Sequence, residues 1–374
     1  MEKNFYDCRN LQALERLRHM SAMRRPANKI AGIRFLSELC KPEPVIRTGE
    51  VKMPPNAKVC VVGNSPLTPS LLLELKRSCL IDELRLFDSK QAAKQLADDL
   101  SLIDNITQVK PYYGHCQLGV ALADVDVIVL AGGYLGLPGE SKSAVFKKNV
   151  ASLVDCAYDC AHHNPHATLV VLTPPGTRNV PLVSMLNEKL GIEDKGQIMA
   201  PMGQHEMSAA TLVTQMLQLP PGCARVPVVG GCCPDTVVPV LSQASPQNEF
   251  SERDSELIVD SLRLASERVA VGQGGRPQAL APALAAADLV LDIVSARFSI
   301  SRPPRCVFLK SQVLPSIKYL GMPVQFGPEG VKSKASLPPL SDQEMALLLK
   351  ATVQLKEDAK QAKAVASAEW SCVD

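Results

Sequence analysis

Aromatic side chains are scarce in this chain, at 4% with a single tryptophan, so its core must rest on Leu, Val, Ile and Ala. No run approaches the roughly eighteen uninterrupted apolar residues of a membrane-spanning helix, which argues against a transmembrane protein. Among 12 cysteines there is no CxxC pair and no regular spacing. Cys232 and Cys233 are adjacent, while Cys8, Cys40, Cys60 and Cys79 sit in unlike contexts. Zinc-ribbon and secreted disulfide frameworks are therefore excluded, and buried free thiols in a reducing compartment are expected. Charge of one sign is also lacking, since the net charge is only +2. Residues 1–56 hold eleven Lys and Arg against six Asp and Glu, and the remainder holds 29 against 32. A near-neutral body argues against broad nucleic-acid binding. The start, Met1 to Asn4, leads into no apolar signal core. Arg16, Arg18, Arg24 and Arg25 leave a mitochondrial presequence open, and Glu2, Asp7 and Glu15 count against it. Ser371 to Asp374 is not a peroxisomal address.

What is present is a soluble globular composition, 46% apolar and 21% charged over 374 residues, long enough for two domains. Leu11, Leu14, Leu17 and Met20 form a helical stripe, Ile30 to Leu39 a second one, and Pro42, Pro44, Pro54 and Pro55 an extended linker. After the linker, strands at Lys58–Val62, Glu83–Phe87, Val125–Leu130 and Thr168–Leu172 alternate with helices at Leu71–Ser78, Lys90–Ile103 and Phe146–His162. That alternation predicts a doubly wound α/β fold with a parallel sheet and a ligand crevice at the strand ends. Beyond residue 200 strand-like Val226–Gly231, Thr236–Leu241 and Cys306–Leu309 surround an amphipathic helix over Ser251–Val271. Ser341 to Glu344 reads as a capping box, with Leu340 stapled onto Met345, and the helix it opens is expected to carry Met345, Leu348, Leu349 and Leu355 inward. His162, His163 and His166 read as surface residues rather than metal ligands, and no metal site is expected.

Val59–Gly63, Leu84–Asp88, Asp99–Ser101, Pro138-Gly139, Asn149, Val226–Gly231, Pro239–Gln243 and Lys310–Gln312 occur in an order that resembles mitochondrial-type malate dehydrogenases from Lys58 to about Val365. The resemblance implies a Rossmann-type domain over 57–199, then an α+β lactate/malate dehydrogenase C-terminal domain over 200–368. Residues 1–56 are left as an arm and linker, and 369–374 as a tail. NAD is the cofactor that the family implies.

The chemistry of that family is missing from the matching positions. Its glycine-rich turn is here Gly63 to Pro69, where only the first glycine remains and Pro66 and Pro69 have no N–H to offer a pyrophosphate. Asp88 stands where the ribose-binding acid lies, and Gly63, Asp88 and Asn149 are the vestigial cofactor positions. In the active-site loop, Gly136 replaces the first substrate arginine and Lys142 the second, with Glu140 adding a negative charge nearby. Lysine keeps charge but loses the planar two-donor fork. Thr173-Pro174-Pro175 replaces Ser-Asn-Pro, so Pro174 removes the substrate-touching amide. The turn itself should survive with a cis bond between Pro174 and Pro175.

Cys232 stands in place of the proton-transfer histidine, His205 in place of its orienting aspartate, and Ser208 in place of the third arginine. A retained fold would bring Cys232 and His205 face to face, either as a thiolate-forming pair or as inert filling. With acid, orienter and clamps all replaced, the chain is expected to be a malate dehydrogenase-like pseudoenzyme serving as a structural or assembly subunit, without a working cofactor. The alternatives are a divergent NAD-dependent malate or 2-hydroxyacid dehydrogenase with weak or altered activity, and a nucleotide or metabolite sensor. A homodimer, or a heterodimer with a paralogue, is expected through the helix carrying Asp99 to Ile103, with Leu102 buried. The basic arm is expected to dock onto a larger acidic protein or ribonucleoprotein assembly, and no membrane association is expected. The expected compartment is intracellular and reducing, with cytoplasmic, cytoskeletal and mitochondrial settings all open.

Overall fold

A computed structural model describes residues 57–334 and 337–370. The arm and linker predicted over 1–56 lie outside these residues, as do 371–374 of the predicted tail. The first half is built on six strands: β1 (Ala57–Val62), β2 (Ile81–Asp88), β3 (Gln108–Tyr113), β4 (Val127–Leu130), β5 (Thr168–Val171) and β6 (Ile198–Pro201). They lie in the order β3-β2-β1-β4-β5-β6, and every pairing among them is parallel. All four residues of β4 and of β5 are buried. Continuous apolar runs are what a parallel sheet covered on both faces requires. β3 has no such run and contains Pro111, so composition hides it. It is tolerated because it is the edge strand, where a missing N–H disrupts no inner ladder.

The covering helices are α1 (Thr68–Lys76), α2 (Ala92–Ser101), α3 (His115–Leu122), α4 (Lys142–His163) and α5 (Gly176–Lys189). α4 begins four residues before its apolar periodicity does, because Ser141 caps it by accepting the Ala144 N–H at 3.2 Å. The second half adds α6 (Gly203–Met216), β7 (Val228–Gly230), β8 (Val237–Pro239), α7 (Glu252–Gly272), α8 (Leu280–Arg297), β9 (Arg305–Lys310), β10 (Tyr319–Gly327), β11 (Gly330–Lys334) and α9 (Asp342–Trp370). β9 pairs antiparallel with β6, and β10 pairs antiparallel with β9, β7 and β11. One sheet therefore runs through both halves, and the change near residue 200 is from parallel to antiparallel pairing.

Two expectations fail on packing. In α9 the capping box forms, with Ser341 N–H donating to Glu344 Oε2 at 2.8 Å and Glu344 N–H to Ser341 Oγ at 3.3 Å. The inward face, however, is Leu348, Ala351, Leu355, Asp358, Ala362 and Ala366, while Met345 and Leu349 are 43% and 60% exposed. Steps of three and four from Leu348 stay on one face, whereas Leu349 lies about 100° around the helix. The cysteines are likewise only partly buried: Cys79, Cys116 and Cys223 are exposed, and no described cysteine forms a disulfide. His162, His163 and His166 are exposed as expected. Among the described residues no helix is long and apolar enough to cross a membrane.

The strand ends meet through a glycine pair. Gly63 ends β1 with φ +92°, and a Cβ there would collide with the Cα of Gly132, beyond β4. This close approach sets the floor on which the loops of the site rest.

Leu348→Ala should lower unfolding stability by about 2–5 kcal/mol, because a buried leucine leaves a cavity. Leu349→Ala should change it by no more than about 0.5 kcal/mol. Urea denaturation of both variants checks this, and equal losses would show that the inward face has been misread.

Candidate functional site

The loop after β4 carries Gly133 to Lys142, and its shape is fixed by a buried amide. Asn149 in α4 accepts the Tyr134 N–H at 2.7 Å and donates to Tyr134 O and Pro174 O at 2.9 and 2.7 Å. Its polar atoms are thus committed to backbone, so Asn149 acts as a clamp between two loops rather than as a cofactor ligand. The Pro174–Pro175 bond is cis, as expected. Gly136 has φ +89°, and a Cβ there would stand 3.0 Å from Val145 Cγ2. The backbone at Gly136 is therefore shaped for glycine. Glu140 does not oppose Lys142. It accepts from Tyr134 OH at 2.7 Å and from Lys148 Nζ at 2.6 Å, and Lys148 lies 4.0 Å from the Tyr134 ring centroid. The Lys148 and Tyr134 hydrogen bonds hold its carboxyl down at about 2.

α6 places His205 and Ser208 on one side, three residues apart, with His205 buried and Ser208 half-buried. His205 and Cys232 do meet, but not as a thiol–imidazole pair. The His205 ring lies with Nε2 3.0 Å from the Cys232 carbonyl oxygen, an acceptor, so Nε2 carries the proton and donates it. Burial holds the imidazole below its ordinary pKa, against the partial opposition of that hydrogen bond. The ring is a neutral prop for the β7–β8 turn, and of the two alternatives the thiolate-forming contact is not made.

The Lys142 ammonium is already paired. Lys142 pairs with Asp235 and, at 3.0 Å, with Asp358 of α9. Asp358 also takes Arg178 Nε at 2.8 Å, the Thr177 hydroxyl at 2.7 Å and Gln354 Nε2 at 3.2 Å. Arg178 reaches Ser143 Oγ at 3.0 Å. The Asp358 side chain is 0% exposed, that of Arg178 4% and that of Lys142 17%. Burial alone would raise the Asp358 pKa, but Lys142, Arg178 and Thr177 outweigh it and hold the carboxylate below its usual range. Burial also works against the Lys142 charge, and Cys233, Asp235 and Asp358 overcome it. Asp358 touches first-turn residues of both α4 and α5, where helix dipoles favour an anion.

Sequence reasoning missed Thr177, Arg178, Asp235 and Asp358. One signal was there: Asp358 follows Leu348 and Leu355 on the inward face of α9, and a charge on that face requires a buried partner.

The turn that would hold a dinucleotide is likewise self-contained. Gly63 N–H donates to Phe87 O at 2.8 Å, Ser65 N–H to Thr68 Oγ1 at 3.0 Å, Thr68 N–H to Ser65 O at 3.0 Å and Leu67 N–H to Ser65 Oγ at 3.4 Å. Pro66 and Pro69 add no donor. Pyrophosphate binding needs several N–H groups free and converging; here only the exposed Asn64 N–H makes no hydrogen bond, and one free donor does not fit it. Asp88 sits half-buried at the end of β2, with Ser89 Oγ 3.5 Å from its Oδ1. Between Gly176, Gln204 and Cys232 the crevice narrows to a cavity of about 80 Å³. Small-ligand sites usually enclose roughly 300–1,000 Å³. A groove of about 1250 Å³ opens elsewhere, lined by residues of α7 and of the start of α9.

Comparison with known proteins places this architecture. Residues 57–199 match the model of the lactate/malate dehydrogenase NAD binding domain, and residues 206–366 that of the lactate/malate dehydrogenase alpha/beta C-terminal domain. The chain belongs to the lactate/malate dehydrogenase family. It is 28% identical to a mitochondrial malate dehydrogenase of Pongo abelii over 330 residues, covering 87% of this chain and 97% of that one. Identity to the mitochondrial malate dehydrogenase of Homo sapiens is 29% over 307 residues, covering 82% and 90%. In fold it is similar to the malate dehydrogenase of Cryptosporidium parvum, with a TM-score of 0.71 and 18% identity over 83% of this chain and 99% of that chain. The apo malate dehydrogenase of Picrophilus torridus gives a TM-score of 0.72, with 18% identity over 84% and 99%. The family binds NAD through its first domain.

Asp358→Ala should cost about 3–5 kcal/mol at neutral pH, because it strands Arg178 and Lys142 without their buried partner. The folded pKa of Asp358 lies below the unfolded value of about 3.9. Its stabilisation is therefore complete above about pH 4 and is lost as pH falls through the folded value. Asp358→Asn should flatten that acid limb of the stability curve. Urea unfolding between pH 2 and 7 reads both effects, and an unchanged acid limb in the Asn variant would remove Asp358 from this role.

Proposed function

We propose that this family member is a pseudoenzyme, a dehydrogenase fold kept as a structural or assembly subunit, without malate turnover and without tight NAD binding. The observation that carries the reading is Asp358, whose buried carboxylate occupies Arg178 and Lys142, the residue that the resemblance aligns with the family's second substrate arginine. The neutral His205, committed to a carbonyl, supports it, as do the engaged N–H groups of Gly63, Ser65, Leu67 and Thr68. Losing the proton-transfer base alone typically costs about 10²–10⁴-fold in rate. The purified protein should not reduce NAD with malate at ordinary dehydrogenase rates. Cys232→His should not restore activity, since His205, Ser208 and Gly136 remain. NADH titration separates the readings: binding with turnover would establish a divergent dehydrogenase, binding without turnover a sensor, and neither a scaffold.

The assembly role rests on two surfaces. Leu102 and Ile106, just after α2, are 84% and 59% exposed in the single chain. In related enzymes this helix packs across a two-fold interface, and two large apolar side chains there suit burial in a homodimer or in a pair with a paralogue. The second surface is the basic arm over residues 1–56, suited to an acidic protein or ribonucleoprotein partner. This reading places the protein in an intracellular reducing setting. The tagged full-length chain should sediment as a dimer and co-purify with a larger assembly. Removal of residues 1–50 should abolish the assembly and leave the dimer. A monomer, or a truncated chain that still assembles, would overturn the corresponding surface.

A further inference from the structure

The groove of about 1250 Å³ between α7 and the start of α9 lies apart from the Lys142–Asp358 cluster. Small-ligand sites usually enclose roughly 300–1,000 Å³, so its size suits a stretch of polypeptide. Leu241, Phe250, Val259 and Leu347 give it an apolar strip. Both walls start from the loop after β8. Ser251 caps α7 directly after Phe250. In the first turn of α9, Glu344 accepts from the Ser242 N–H at 2.8 Å and from the Ser242 hydroxyl at 2.7 Å.

The charges along the walls are segregated. Glu249 and Glu256 stand at the loop end. Arg263 lies twelve residues past Ser251 and Lys350 nine past Ser341, about 18 and 13 Å along their helices. Asp260, one turn before Arg263, marks the border. Glu344 is the remaining acid of the lining, and its oxygens are already taken by Ser242 and Ser341. Glu249, Glu256, Asp260, Arg263 and Lys350 make no ion pair or side-chain hydrogen bond among the described residues. Arg263 is half-buried, and its Nε is buried with no hydrogen-bond partner. A buried donor left unpaired is costly, so an incoming acceptor is favoured there. Glu249, Glu256 and Asp260 would repel a polyanion, which argues against nucleic acid. A segment with one charge of each sign complements both ends.

We propose that this groove docks a peptide segment of a partner protein, one that carries a basic and an acidic residue with an apolar residue midway between them. The acidic side chain meets Arg263 and Lys350, the basic one meets Glu249 and Glu256, and the apolar one lies on Val259 and Leu347. Gln247 and Gln343 offer amides to the backbone of the segment. Glu256 and Arg263 are seven residues apart on α7, about 10 Å. Residues i and i+4 of an extended chain lie about 13 Å apart on one side, with i+2 between them. The long Arg263 and Lys350 side chains cover the difference. The expected pattern is therefore basic-x-apolar-x-acidic or its reverse. The inference extends the assembly reading but does not share its tests. Malate turnover would end that reading and leave the groove untouched, whereas a groove without peptide specificity would leave the dimer and the arm untouched.

Immobilised full-length protein is panned with a phage-displayed library of random decapeptides, and the enriched peptides are synthesised and titrated by fluorescence anisotropy. They are expected to carry the paired charges at this spacing. Arg263→Glu and Lys350→Glu should each weaken binding by about tenfold or more. Exchanging the acid of the peptide for lysine should return binding to each variant, which a folding defect would not allow. The proposal is overturned if no peptide is enriched, if the enriched peptides lack paired charges, or if both variants bind them as the wild type does.

Discussion

The buried carboxylate of Asp358 is the interaction on which the rest of the candidate site depends. It comes from α9, the last described helix, and contacts Lys142 at the start of α4 and Thr177 and Arg178 at the start of α5. Through Lys142 it is coupled to Asp235 in the β7–β8 turn. Three helices and one turn thus meet on a single anion. Charges this deeply buried are tolerable only when each has a partner of good geometry and its remaining hydrogen-bonding capacity is satisfied. Asp358 meets that condition with Arg178, Lys142, Thr177 and Gln354, and a diffusing carboxylate would have to displace it.

A second layer of constraint is made of neutral amides that satisfy loop backbone. Asn149 ties Tyr134 to Pro174, and Asn179 donates to Thr173 O at 2.7 Å. Asn164 donates to Leu122 O and Val125 O, both at 2.9 Å. Irregular backbone beside a sheet leaves carbonyls without ladder partners, and each one buried unsatisfied costs about 1–3 kcal/mol. These side chains satisfy the loop carbonyls and hold the loops of the candidate site in place.

Much of the fold is legible in the chain itself, because it rests on local pattern. The apolar runs at Lys58–Val62 and Val127–Leu130 are strands, the cap residues Ser251 and Ser341 begin helices, and the altered positions at Gly136, Cys232, His205 and Ser208 can be named by their spacing from matched stretches. β3 was hidden because an edge strand need not be apolar, and the inward face of α9 was misassigned because two adjacent leucines cannot both face the core. Pairings between residues far apart in the chain were not legible. Asp358 lies 180 residues from Arg178 and 216 from Lys142, and no periodicity connects them. Which atom of Cys232 meets His205 was equally open until the turn was placed, since carbonyl and thiol differ by a rotation about the backbone. Local pattern is set by neighbours along the chain, whereas the partners of a buried charge are set by which helix ends the folded sheet brings together.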